Sequence, residues 1–160
     1  MAAFQERLAK YSKVGLDSSI FIYQFEAHPN YSQLTQAIFD EIEFGRLSGI
    51  ASVITLMELT VRPWQLKEEE VVREYEAYLV NFPNLALIAI DRVVARKAAQ
   101  LRAAYQLRPA DALQVAACLS QQGEAFITND HRLARLGDVL DILVLDDFLQ
   151  PNGEISTRTE

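Results

Sequence analysis

The sequence predicts an α/β protein of three layers, α/β/α, with helices on both faces of a central, mostly parallel five-stranded sheet. Three observations predict it. Short apolar runs near residues 14, 50, 86, 125 and 142 read as five strands. Segments with helical spacing of apolar residues separate them. Strands that alternate with helices pair in parallel, because each crossover returns the chain to the same end of the sheet. With 160 residues, half of them apolar, the chain suits one sizeable core.

No repeat or linker interrupts residues 1–150, which are expected to form one domain, followed by a polar tail over 151–160. No apolar run is long enough to cross a bilayer. The segment Met1 to Tyr11 carries Gln5, Glu6, Arg7 and Lys10, unlike a signal peptide. The expected location is the cytoplasm. Cys118 is the single cysteine, which excludes an internal disulfide framework and a cysteine zinc site. Fifteen Lys and Arg against 22 Asp and Glu leave a net charge of −7. That balance argues against gripping nucleic acid through a broad basic surface. Phosphate binding through metal ions stays open, since bound cations invert local electrostatics.

Phe4, Leu8 and Tyr11 share one face of a short amphipathic helix. Lys13 to Leu16 is the first strand. Asp17-Ser-Ser ends it, and a helix follows; Asp17 is also a suitable helix N-cap. His28-Pro-Asn is a turn, with His28 a loop residue. Leu34, Ile38 and Ile42 mark a helix whose Asp40, Glu41 and Glu43 face solvent. Gly49 to Ile54 reads as the second strand. Thr55 to Val61 follows, with a stop near Pro63. Thr55 and Glu58 fit a capping box, in which Glu58 only bonds a backbone N–H.

Glu68-Glu-Glu opens the next helix, where negative charge suits the dipole. Its apolar face, Val71, Val72, Tyr75, Tyr78, Leu79 and Phe82, serves the core or a second subunit, with Trp64 beside it. Leu85 to Ile90 is the third strand. Arg92, Arg96, Lys97, Arg102 and Arg108 follow with no acid among them, around a core stripe of Val94, Ala98, Leu101 and Tyr105. Pro109 suits a first helical turn. Leu113, Ala116, Ala117 and Ser120 continue that helix, and Gly123 is its C-cap candidate. Cys118 reads as a small buried apolar residue. Ala125 to Ile127 is a buried strand. His131 starts a short basic helix with Arg132 and Arg135, and Ile142 to Leu145 is the last strand.

Asp17, Glu58 and Asp130 each follow a strand, and Asp111 opens a helix that leads into one. If that helix and strand lie side by side, all four acids reach the carboxyl edge of the sheet, where open parallel sheets build their sites. Clustered carboxylates repel unless a cation joins them. No lysine lies within three residues of any of the four. Oxygen ligands without a histidine pair or cysteine favour Mg²⁺ or Mn²⁺ over zinc. Such a site suits phosphodiester hydrolysis, the ion acidifying a water and neutralising phosphate oxygens. Ser18, Thr128 and Asn129 are placed to hold the ligands or the water from behind.

Four segments carry a resemblance: Leu16-Asp-Ser-Ser-Ile-Phe-Ile-Tyr23, Ser52-Val-Ile-Thr-Leu-Met-Glu-Leu59, Pro109-Ala-Asp-Ala-Leu-Gln-Val-Ala116 and Ile127-Thr-Asn-Asp-His-Arg-Leu133. In order and approximate spacing they resemble the signature blocks of the PIN-domain family. The resemblance implies an α/β/α fold and a Mg²⁺- or Mn²⁺-dependent ribonuclease whose acids map to Asp17, Glu58, Asp111 and Asp130. The nearest branch is the VapC-like toxins of bacterial toxin–antitoxin pairs. It implies an RNA substrate, a homodimer and an antitoxin that blocks the site. Arg108 and Arg132, beside the acids, are candidate RNA contacts. The dozen residues ahead of the first strand are more than these toxins usually carry.

Two other classes share part of the pattern, an acid after the first strand in one and an acidic pocket in the other. An Asp-nucleophile phosphatase usually needs a second Asp two residues on, where Ser19 stands. A phospho-acceptor receiver domain wants a lysine after a late strand, and Thr128-Asn-Asp130 offers none. The alternative that shares the fold is a PIN-like module that binds RNA or protein without cutting.

Overall fold

The structure, a computed structural model, describes residues 1–149; the polar tail expected over 151–160 lies outside the described residues. Five strands, β1 (Lys13–Leu16), β2 (Ser48–Ser52), β3 (Leu85–Ile88), β4 (Ala125–Thr128) and β5 (Asp141–Val144), pair in parallel in the order β3-β2-β1-β4-β5. The chain builds outward from β1 to β3, then returns to place β4 and β5 on the other side of β1. The strand order therefore reverses between β1 and β4. In open parallel sheets a crevice forms at that reversal, outside the carboxyl ends of the strands.

Helices α1 (Ala2–Leu8), α2 (Ser18–Phe25), α3 (Ser32–Glu43), α4 (Val53–Gln65), α5 (Glu69–Asn81), α6 (Arg92–Tyr105) and α7 (Pro109–Ser120) surround the sheet, with 3-10 turns at His131–Leu136 and Leu145–Phe148. Successive strand residues point to opposite faces. Val14, Leu16, Ala125 and Ile127 join one core with Phe4, Phe21, Phe39 and Leu79. Phe126 joins the other, with Val94, Ala98 and Leu101 of α6, Val115 and Cys118 of α7, and Leu133 and Leu136. At Gly15 a Cβ would stand 2.6 Å from the Cys118 sulfur and 2.7 Å from the Phe126 ring. The glycine lets α7 lie close on β1. Burial pushes the Cys118 thiol up to about 12, as suits an unreactive packing residue.

The structure moves several boundaries. The second strand ends at Ser52, not Ile54, because the Ser52 hydroxyl accepts the Ile54 N–H at 3.2 Å and caps α4. Two β-branched residues, Val53 and Ile54, therefore open a helix. That helix also runs past Pro63 to Gln65. The proline sits in its last turn, where its carbonyl accepts the Glu68 N–H at 2.9 Å and Lys67 takes the left-handed position (φ 56). In α7 the left-handed residue is Gln122 (φ 57), not Gly123. Gly123 is needed for space instead, since a Cβ there would collide with the Cys118 sulfur.

The broad apolar face of α5 turns inward. Val72 and Leu79 are buried. Tyr75 stacks on Phe25 at 4.6 Å, Tyr78 meets the same ring edge-on at 4.8 Å, and Phe82 lies 5.5 Å from Phe39. Among the exposed large hydrophobics, Met57, Val61, Trp64 and Leu66 lie together along and just past α4, while Phe44, Val80 and Val93 stand elsewhere. No helix among the described residues is long and apolar enough to cross a membrane.

Candidate active site

Asp17, Glu58, Asp111 and Asp130 line one open cleft of about 490 Å³ at the strand-order reversal, together with Ser18, Tyr23, Arg108, Asn129 and His131. Three of the acids stand at element boundaries. Asp17 joins β1 to α2, Asp111 is in the first turn of α7, and Asp130 precedes the 3-10 turn after β4. Glu58 differs: it lies inside α4, a turn beyond the strand it was expected to follow.

Asp17 occupies the N-cap position of α2, yet its side chain makes no cap hydrogen bond. Its Oδ2 instead accepts the Thr128 hydroxyl at 2.6 Å. The same hydroxyl oxygen accepts the Asp130 N–H at 3.0 Å, so Thr128 ties two acids of the cleft together. Burial, the largest cause, pushes the Asp17 carboxyl up to about 6. The Thr128 hydrogen bond opposes that rise, and the nearby Asp111 and Glu58 charges add to it.

Glu58 is not a capping-box residue, because Ser52 fills the N-cap and Thr55 is buried within the helix. Its Oε1 accepts the Ser18 hydroxyl at 2.8 Å and a close bond from the Gln114 amide. Gln114 Nε2 also donates to Ser18 Oγ at 3.1 Å, and the Ser18 and Thr55 hydroxyls lie 3.1 Å apart. One donor and two acceptors on Ser18 satisfy this set if Thr55 donates. Sequence reasoning missed Gln114. The available signal was an amide in an otherwise apolar stretch of α7, three positions from Asp111 and so on the same face.

Replacing Gln114 with Leu keeps the volume but removes both donors. Such a loss leaves buried partners unsatisfied and is expected to cost about 1–3 kcal/mol. Urea unfolding of Gln114→Leu measures it; a neutral or stabilising change would mean that the amide does not hold Glu58.

Asp111 and Asp130 do have cationic partners. Arg108 Nε donates to Asp111 Oδ2 at 3.0 Å, and its Nη2 donates to Asp130 Oδ2 at 3.3 Å. Arg132 donates to both Asp130 oxygens, at 3.0 and 2.7 Å. The Arg132 hydrogen bond, more than any other cause, holds the Asp130 carboxyl below its usual range. The lack of lysine nearby in sequence was therefore no measure of local charge, because the counter-charges are arginines, Arg108 three positions from Asp111 and Arg132 two from Asp130. Asn129 is engaged elsewhere. Its Oδ1 accepts the Asp146 N–H at 2.9 Å and its amide donates to the Tyr23 hydroxyl at 3.4 Å. Asp146 in turn accepts from Tyr31 at 2.5 Å and pairs with His131 at 3.0 Å.

As folded, no three His, Cys, Asp or Glu side chains among the described residues stand close enough to hold a metal ion. The donor chemistry itself fits a hard divalent cation. It offers carboxylate and hydroxyl oxygens without thiolates, and one carboxylate, Asp17, whose charge is disfavoured where it lies. Cation binding there would require the carboxylates to come closer together.

A model of the PIN domain matches residues 14–139. The chain belongs to the PIN-domain family. PIN domains are generally nucleases and typically use divalent metals. This PIN domain folds like a chain in a toxin–antitoxin complex from Klebsiella pneumoniae, at 20% identity and a TM-score of 0.61, covering 82% of this chain and 97% of that one. It is similar to DNA-bound VapBC from Salmonella typhimurium at 20% identity and a TM-score of 0.62, with 84% and 98% covered. FitAcB from Neisseria gonorrhoeae matches at 18% identity and 0.60, with 82% and 97% covered. At these identities the likeness is one of fold. No curated protein matches the chain. The matched span begins at Val14, so α1 lies ahead of the part shared with the family model.

Proposed function

We propose that this PIN domain is a metal-dependent endoribonuclease acting in the cytoplasm, and the toxin of a toxin–antitoxin pair. The observation that carries the reading is four carboxylates, from four separate stretches of chain, lining one cleft where the strand order reverses. Asp17, Glu58, Asp111 and Asp130 would hold the ion. Bound Mg²⁺ or Mn²⁺ supplies an acidified water and neutralises phosphate oxygens. Thr128 orients Asp17, Ser18 and Gln114 orient Glu58, and Asn129 fastens the chain beside Asp130. Arg108 and Arg132 are the cations at hand for a substrate phosphate.

Residues 1–150 act as one domain in this reading. The toxin role adds an antitoxin and a second copy as partners, since the similar structures are toxin–antitoxin complexes. The exposed apolar strip of Met57, Val61, Trp64 and Leu66 is the surface open to them.

Cleavage of a labelled single-stranded RNA tests the activity. It is expected with Mg²⁺ or Mn²⁺, absent in EDTA, and reduced roughly 100-fold or more in Glu58→Gln. RNA binding without cleavage under either ion would instead make the protein a binding module.

A further inference from the structure

Arg108 lies across two of the four acids. Among the described residues it is the one side chain hydrogen-bonded to both Asp111 and Asp130. Those carboxylates are shielded, 15% and 21% exposed, whereas the Arg108 side chain is 62% exposed. An arm rooted in solvent thus bridges acids set back in the cleft wall. Its root is defined by sequence. Arg108 precedes Pro109, and a residue before proline is kept out of the helical region. Its backbone is accordingly extended (φ −64, ψ 150) and it forms the N-cap of α7. Arg132 binds Asp130 with its own pair of bonds, so Arg108 is the second cation at Asp130 and the hydrogen-bonded one at Asp111. Asp17 and Glu58, at the other side of the cleft, have no ion pair among the described residues.

We infer that Arg108 is a resident counter-ion of the cleft, competing with the divalent cation for Asp111 and Asp130. It steadies these acids while the site is empty and sets a threshold for loading the metal. The inference rests on the metal-dependent reading of the same site. Two partly exposed ion pairs are each weak, so a cation can displace the guanidinium. The exposed arm has solvent to move into.

Mn²⁺ binding, read from the spectroscopic signal of the free ion, tests this without any catalysis. The proteins are the wild type, Arg108→Ala, Arg108→Lys and Arg96→Ala. Arg96 is exposed on α6 and not part of the cleft wall, so its loss controls for net charge. Arg108→Ala is expected to bind Mn²⁺ roughly five- to tenfold tighter than the wild type. Arg108→Lys should fall between them, because an ammonium lacks the fork that spans two carboxylates. Arg96→Ala should match the wild type. Equal or weaker binding by Arg108→Ala, or equal tightening by Arg96→Ala, would overturn the inference while leaving the metal site standing. If none of the four proteins binds Mn²⁺, the metal-dependent reading falls, and the inference with it.

Discussion

Asp17→Asn is expected to abolish RNA cleavage and, in the same protein, to raise stability at neutral pH. Asparagine keeps the shape of the side chain and an oxygen to accept the Thr128 hydroxyl, now at 2.6 Å from Asp17. It removes the charge that burial disfavours and that Asp111 and Glu58 repel. Cleavage should fall roughly 100- to 1000-fold, as for loss of one preorganised charged group in a site. The stability gain follows from the carboxyl's move from 3.8 to about 6 on folding. With the folded value raised, the folded state binds the proton more tightly than the unfolded chain. The penalty is therefore complete above about pH 6, shrinks as pH falls towards 3.8, and is gone below it. Its full size is roughly 2–3 kcal/mol.

Urea melts in EDTA should accordingly show the variant more stable than the wild type at pH 7.5, and the two proteins converging near pH 4. Mg²⁺ should raise the wild-type midpoint, since a ligand held only by the folded state stabilises it, and raise the variant less. A variant clearly less stable at pH 7.5 in EDTA would make Asp17 a structural residue. Asp111 is a poorer choice for this test, because its charge is matched by Arg108 at 3.0 Å.

Phe4→Ala is expected to cost about 3–5 kcal/mol, the range for truncating a buried aromatic side chain. Phe4 is fully buried, and its ring lies 4.9 Å from that of Phe148. Leu8, one turn on, is 2% exposed. The helix ahead of the first strand is thus built into the main core rather than appended to it. The loss should also reach the cleft. Phe148 ends the 3-10 turn that contains Asp146, and Asp146 is tied to Asn129, Tyr31 and His131. Chemical denaturation of the variant, with and without Mg²⁺, measures the effect. A loss below 1 kcal/mol would show that α1 is dispensable to the fold, on the scale of an ordinary surface change.

The elements that the sequence revealed most clearly are those whose signal is local. Parallel strands buried on both faces read as continuous apolar runs, so Val14 to Leu16 and Ala125 to Ile127 stood out; the edge strand, read as Leu85 to Ile90, ends at Ile88. Asp17 and Asp130 were legible because each stands at the seam between a strand and a helical turn, where an acid is visible as an interruption, and Asp111 because it follows Pro109 in the first turn of α7. Boundaries were less legible. Val53 and Ile54 have strand propensity, and only the Ser52 cap, three-dimensional in its geometry, shows that the helix has begun. The apolar face of α5 was visible, but not its partner, because Phe25 and Phe39 are dozens of residues away in sequence.

The sequence by itself determined the order of strands and helices, and which acids stand next to strand ends. Hydrophobic period and turn chemistry are properties of neighbouring residues, and they survive without knowledge of the fold. Arg108 with Asp111 and Arg132 with Asp130 are pairs of sequence neighbours, but tertiary structure alone decided the other contacts that hold the acids. Gln114 reaches Glu58 across 56 positions, Thr128 reaches Asp17 across 111, and Arg108 reaches Asp130 across 22. Electrostatic and hydrogen-bond energies depend on distance in space, and spacing along the chain does not report that distance once strands from both ends of the sequence meet at one edge of the sheet.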